Sequence, residues 1–291
     1  MLIDSHCHLQ FQAYSEDRKE VIEKCLSKDM FLNIVGTQKD TSKKAVDLAS
    51  AYENFYATVG VHPIQHTATA VIEENTSFIS RGEEFDEDFF DDLIATGQVI
   101  GIGETGLDKY HIPEGEAGNI AFEKQKILFK KHIAFARKHN LPLIVHVRDA
   151  KNAEESSTHE DVFEILEEEW KENGNIKGVL HCFTGNIEQA KRYIDLGFYL
   201  GFGGVITYPN KGNKYVNGSL ADVIDSIPLE KILTETDAPY LSPQKYRGGR
   251  CEPWMVEEVV DFIAERKEMD VDKLNDIIEN NFRELFSLSL L

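Results

Sequence analysis

Eight short apolar runs with helically spaced stretches between them constrain this chain more than any other feature. The runs fall at Leu2–His8, Phe31–Gly36, Tyr56–His62, Val99–Glu104, Leu143–Val147, Gly178–Phe183, Tyr199–Ile206 and Ile232–Asp237. Their length and content predict buried strands. In one intervening stretch Ala121, Leu128 and Phe135 stand beside Phe122, Phe129 and Ala136, two adjacent columns on one helix face. After the last run Val256, Val259, Val260 and Ile263 continue the helical pattern, followed by Leu274, Ile277, Ile278, Phe282 and Leu285. Strands alternating with helices imply parallel pairing through crossovers, and eight such units in 291 residues most simply close into a (β/α)8 TIM barrel, with a doubly wound open sheet as the second choice. No Gly/Ser/Pro-rich linker interrupts the pattern, so a single domain over residues 1–291 is expected.

The polar residues then fall into register. In "IDSHCHLQ" an extended backbone turns Asp4, His6 and His8 to one side and Ser5 and Cys7 to the other. Glu104 ends the fourth predicted strand, His146 lies near the end of the fifth, His181 ends the sixth and Asp237 the eighth. All sit at C-terminal strand ends, the face on which a barrel builds its active site. Four imidazoles and two carboxylates converging there would be costly to bury without a cation. Imidazole and carboxylate without thiolate suit Zn, Mn, Fe, Co or Ni, and Mg where carboxylates dominate. Six donors exceed the three of a single catalytic zinc, so two divalent ions bridged by Glu104 are expected, with Asp237 binding one of them and taking a proton from the attacking water.

Weaker candidates surround this set. His62 in "GVHP" ends the third predicted strand and reads as a substrate-phosphate contact, a group orienting a ligand, or a ring packed beside Pro63. Arg148 shares a face with His146 and reads as a phosphate contact or as the partner of a rim carboxylate. Lys245, Arg247 and Arg250 form one compact basic patch after the eighth strand, a candidate clamp on a nucleic-acid backbone. Glu235, one pair deeper than Asp237, is placed to support a ligand. His66, His111, His132, His139 and His159 read as surface residues.

Composition excludes several classes. A net charge of −20 argues against broad electrostatic adhesion to nucleic acid or anionic membrane and leaves room only for a local basic site. Cys7, Cys25, Cys182 and Cys251 are far apart with no C-x-x-C pair, which suits reduced thiols. No basic-then-apolar leader and no stretch of eighteen apolar residues is present, so a cytoplasmic protein without membrane contact is expected, and nothing calls for an obligate protein partner. The acidic run Glu83 to Asp92 reads as an amphipathic helix with Phe85, Phe89 and Leu93 inward rather than as a cation site. "GIGETG", Gly101 to Gly106, matches a dinucleotide-binding pattern by letter, but "LDKYHIPEG" follows it where a helix would be needed.

Taken together, "DSHCHL", "GVHP", "GIGETGLD", "HVRDA", "HCFTG" and "ETDAPYL", from residue 2 to about 286, resemble the successive motifs of the TatD-like metal-dependent deoxyribonuclease family within the amidohydrolase-type barrel superfamily. The resemblance implies a TIM barrel, a divalent metal centre and hydrolysis of DNA phosphodiesters by metal-activated water, typically as a 3′-5′ exonuclease. Carried over position by position, it implies the same ligand set: His6, His8, Glu104, His146, His181 and Asp237. Two departures bear on substrate contacts: "KYHIPEGEAGN" is longer than the segment usual after "GETGLD", and Cys251 stands where asparagine is usual. The alternative with the same chemistry is an amide or ester hydrolase, including deacylation of misacylated tRNA. Metals that only brace the barrel, or a nucleic-acid-binding module without chemistry, are the readings outside catalysis.

Overall fold

The structure is a computed structural model that describes residues 1–66, 70–73, 76–79, 82–151, 157–209 and 219–289, with backbone alone for 66, 70–73 and 76–79. Its centre is an eight-stranded sheet of β1 (Leu2–Cys7), β2 (Met30–Val35), β3 (Phe55–Val59), β4 (Val99–Asp108), β5 (Leu143–Arg148), β6 (Gly178–Leu180), β7 (Phe198–Phe202) and β8 (Ile232–Thr234), paired in that order. Every neighbouring pair along it is parallel. The sheet closes on itself where β8 meets β1: Thr234 Oγ1 donates to the Ile3 carbonyl at 2.8 Å, Asp237 N to His6 O at 2.9 Å and His8 N to Ala238 O at 2.7 Å. This is a (β/α)8 TIM barrel.

The helices α1 (Arg18–Ser27), α2 (Lys39–Ala49), α3 (Glu87–Ile94), α4 (Glu116–His139), α5 (Thr158–Asn173), α6 (Ile187–Asp195), α7 (Leu220–Ser226), α8 (Val256–Arg266) and α9 (Val271–Phe286) form the outer layer. Both columns expected on α4 are buried against the barrel wall. α3 begins at Glu87, capped by the Asp86 carboxylate, which accepts from Phe89 N at 3.2 Å. Phe90 and Leu93 supply its buried face, with Phe85 and Phe89 only half-buried beside them, while Glu87, Asp88 and Asp92 are exposed. A two-stranded hairpin, Ala70–Glu73 with Thr76–Ile79, is inserted between β3 and α3 and was not foreseen.

Several strand ends differ from expectation. β3, β6 and β8 stop at Val59, Leu180 and Thr234, short of His62, His181 and Asp237. Past these points single amides still bond to the neighbouring strand, His62 N to Thr37 O at 2.9 Å and His181 N to Val145 O at 3.0 Å, but the backbone soon leaves the extended region, with Cys182 at φ +46° and Asp237 at φ +61°, and continuous pairing ends. β7 likewise stops at Phe202 and turns through Gly204–Thr207. β4 runs four residues past Glu104, so "GIGETG" lies within a strand and opens no helix.

Candidate metal centre

Two bulges aim the central residues. On β1, Asp4 pairs with Leu32 and Cys7 with Ile34; on β4, Ile102 pairs with Leu143 and Thr105 with Val145. In each case three steps on one strand oppose two on its neighbour, which kinks the strand and redirects the residues inside the kink. His6, beside Ser5, and Glu104, beside Gly103, are among those residues. Just beyond, Gly106 has φ +133° and lies so close to β5 that a Cβ would run into the His146 carbonyl oxygen, so only glycine fits.

Glu104, 3% exposed, is the hub. Its Oε1 lies 2.8 Å from His181 Nε2, 3.2 Å from His146 Nδ1 and 3.2 Å from His62 Nε2. Its Oε2 lies 3.4 Å from His6 Nε2 and 3.7 Å from His8 Nε2. Asp237, in the left-handed region with φ +61°, turns its Oδ1 to 3.3 Å from His8 Nε2 and 3.7 Å from His6 Nε2. The six residues foreseen from strand ends therefore converge, and His62 joins them. Among the described residues every ion-pair partner of Glu104 and Asp237 is an imidazole.

Hydrogen bonds sort the rings by which nitrogen keeps a lone pair. His8 Nδ1 lies 2.7 Å from the Val35 carbonyl, which can only accept, so the proton sits on Nδ1 and Nε2 faces the cluster bare. His146 Nε2 lies 3.1 Å from Asp108 Oδ2, so its Nδ1 is the bare one. His181 turns Nδ1 toward Glu235 at 3.6 Å and Nε2 toward Glu104. His62 is the opposite case: its Nδ1 accepts from Ile64 N at 3.2 Å, so the neutral ring donates Nε2–H to Glu104. Convergent lone pairs on His8 and His146, the Nε2 atoms of His6 and His181 and two carboxylates are a donor set that fits divalent ions; a ring already carrying its proton inward does not coordinate.

The electrostatics agree with a cation-seeking site. Burial opposes ionisation of Glu104, but His181 and His62 outweigh it and hold the carboxyl well below the usual carboxylate range. Burial opposes the charged form of Asp237 too, and the imidazoles facing it, His8 first and then His181 and His6, overcome it and bring the group down. Burial would depress His8, His146 and His181, yet the facing carboxylates raise all three. Burial wins for His6, with the His181 charge adding to it, and for His62, and lowers both.

Two buried acids behind the cluster were missed. Asp108 ends β4 as the last letter of "GETGLD", and its strand-end position was the available signal. Asp4 accepts from Thr236 Oγ1 at 2.6 Å and Thr236 N at 2.9 Å, tying β1 to the segment that carries Asp237. Glu235 accepts from Cys182 N beside His181, in space that Gly201 leaves open and a Cβ would fill.

Other expectations need correction. His132 and His159 are buried, because each ring finds hydrogen-bond partners in the helix layer: His132 with Val61 N and Leu128 O, His159 with the Tyr193 hydroxyl. His111 and His139 are half-buried against Asp108 and Asp91, and the His66 side chain lies outside the described residues. The basic patch is largely neutralised, because an acidic chain places carboxylates beside it: Arg250 forks onto Asp17 at 2.6 and 2.8 Å and meets Glu252, and Lys245 meets Glu258. Arg247 is exposed with its guanidinium over Tyr208 at 4.2 Å, and Arg148 stacks over Tyr110 at 4.1 Å.

Comparison with known proteins places this arrangement. Residues 3–287 match the model of the family described as TatD related DNase. The chain is 35% identical over 290 residues to the uncharacterized metal-dependent hydrolase YabD of Bacillus subtilis, covering 99% of this chain and 100% of YabD. It is 33% identical to the uncharacterized metal-dependent hydrolase YcfH of Escherichia coli K12, covering 99% and 96%. Among solved structures, the TatD homolog YjjV of E. coli K12 superposes with a TM-score of 0.78 at 24% identity, covering 99% of this chain and 98% of YjjV. Among the described residues no helix is long and apolar enough to cross a membrane.

Proposed function

The chain belongs to the TatD-related DNase family and is a metal-dependent hydrolase, and we propose that it opens phosphodiester bonds of DNA, as a 3′-5′ exonuclease, at the centre built around Glu104. The observation that carries the reading is the division of Glu104: Oε1 meets His62, His146 and His181, while Oε2 meets His6 and His8. A carboxylate shared in this way is what a bridge between two neighbouring ions requires. His6, His8 and Asp237 would hold one divalent ion and His146 and His181 the other, with Zn, Mg, Mn, Ni and Fe all compatible with these donors. Such ions, when bound, supply Lewis acidity at phosphoryl oxygens and acidify water.

The chain's own groups supply the rest. Of the two central carboxylates Asp237 is the more open, its side chain 15% exposed against 4% for Glu104, so Asp237 is the one that meets water and takes its proton. His62 presents an N–H toward Glu104, from where it steadies the bridge or a phosphoryl oxygen. Arg148 and Arg247, each packed on a tyrosine, are assigned to the DNA backbone. The test is an assay of chelator-stripped protein on single-stranded DNA, duplex DNA, RNA and simple esters with each metal restored in turn. Release of nucleotides from DNA 3′ ends only after metal is restored is expected. Ester or amide hydrolysis without DNA cleavage would move the substrate class, and full activity in chelator would overturn the centre.

A further inference from the structure

Asp108 lies outside the ring of groups that face one another in the centre, yet it is fully buried. α4 grips its backbone from both sides: Asp108 N donates to Gln125 Oε1 at 2.8 Å, and Gln125 Nε2 donates to Asp108 O at 3.1 Å. The loop after β4 returns over its carboxylate, where His111 N donates to Oδ1 at 2.9 Å and the His111 ring Nδ1 lies 2.9 Å from Oδ2. The same Oδ2 lies 3.1 Å from His146 Nε2. His146 is the ring whose bare Nδ1 faces Glu104 Oε1, and an imidazole offers a lone pair at one nitrogen when the other is bound to an acceptor.

We infer that Asp108, braced by His111 and Gln125, is a positioning residue that fixes the tautomer and direction of His146 and thereby sets the affinity of one of the two ions, the one on the Glu104 Oε1 side. His8, on the other side, is fixed by the neutral Val35 carbonyl instead. Apart from the shared Glu104, the rings on the two sides are therefore held by different groups, and a change at Asp108 acts directly on one side only. This rests on the two-ion reading above.

Asp108→Asn is the diagnostic variant. The His111 N–H holds an oxygen at the Oδ1 position, which leaves the new amide NH2 at the Oδ2 position, facing both rings. A donor there forces the His146 proton onto Nδ1, into the place a cation needs; swapping a carboxylate for an amide behind a histidine is known to reverse a tautomer in this way. Isothermal titration of stripped wild type and variant with Mn²⁺ alone gives the readout. Wild type is expected to take up two ions; in the variant one keeps its wild-type Kd and the other weakens by roughly 10- to 100-fold. Two unchanged ions, or two ions weakened alike, would overturn the inference. A wild type that binds fewer than two ions would overturn the reading it rests on, and the wild-type titration alone shows that. Should the variant not fold, ring ¹⁵N–¹H correlation spectra of Zn²⁺-loaded wild type decide: a His146 proton on Nε2 supports the inference and one on Nδ1 overturns it.

Discussion

The chain buries imidazoles in two places with opposite consequences. At the C-terminal rim of the barrel His6, His8, His62, His146 and His181 surround Glu104, and carboxylates raise three of them. In the helix layer His132 and His159 are just as hidden, but they meet a backbone amide, a carbonyl and a hydroxyl. At His159 burial dominates, and the ring is brought down to about 4. The contrast teaches that burial alone does not make a histidine functional. What distinguishes the rim is that several ring nitrogens converge on the same two carboxylates, whereas His132 and His159 lie apart and hydrogen-bond to separate neighbours.

The largest expected effect comes from breaking the rim cluster at its most open carboxylate. Asp237→Asn keeps the volume and one coordinating oxygen while removing the basicity needed to draw a proton from water. Turnover should fall roughly 10²- to 10⁴-fold. Folding should survive, because Asp237 is partly open to water at the rim and the Asp237 N to His6 O bond that closes the barrel is untouched. The comparison that checks it is hydrolysis rate against melting temperature, in metal-free and metal-loaded protein. Near wild-type turnover at full metal content would pass the proton-accepting role to another group.

How much of this was legible in the sequence follows from the same contrast. The barrel was readable because periodicity reports burial along each element, and six rim residues were readable because each stands at or near the end of an apolar run. Asp108 was marked only by its strand-end position, and that it faces imidazoles rather than water was not legible, since its partners His111 and His146 come from a loop and another strand. His132 was misread for a different reason. It stands three or four residues from Leu128, Phe129, Phe135 and Ala136, on the face those columns bury, so its burial was signalled by the helical spacing; what the spacing could not show is that Val61 N, from the loop after β3, reaches its ring. The strand ends at Val59, Leu180 and Thr234 fell short of expectation because continuous pairing ends before the apolar run does, which the run itself cannot disclose.

A smaller and different effect is expected in the helix layer. His132→Leu conserves bulk but leaves Val61 N–H buried without its acceptor, at a cost of roughly 1 to 3 kcal/mol. Since Val61 precedes His62, a modest loss of turnover should accompany the loss of stability, while metal content stays at the wild-type level. Urea unfolding and metal analysis of the same preparations check both. A fall in bound metal comparable to that of a rim variant would show that the two populations of histidine are not separate.

The smallest effect is expected at His159, and it depends on pH with a fixed sign. Its folded-state value of about 4 lies below the value near 6.5 of an ordinary imidazole, because burial disfavours the charged ring more than Asp149 and Glu160 favour it. Between those two values the unfolded chain binds a proton that the folded chain refuses, so stability falls as pH falls from about 6.5 and levels off below about 4. At pH 5 the loss should be on the order of 1 to 2 kcal/mol, and above pH 7 it should vanish. His159→Gln keeps a polar partner for the Tyr193 hydroxyl and cannot titrate. The difference in unfolding free energy between wild type and variant should therefore be constant at neutral and alkaline pH and shift in the variant's favour on acidification, with the rim histidines, common to both proteins, cancelling from the difference. A difference that does not change with pH would mean that His159 is protonated in the folded state, and that the helix layer stabilises a charged imidazole as the rim does.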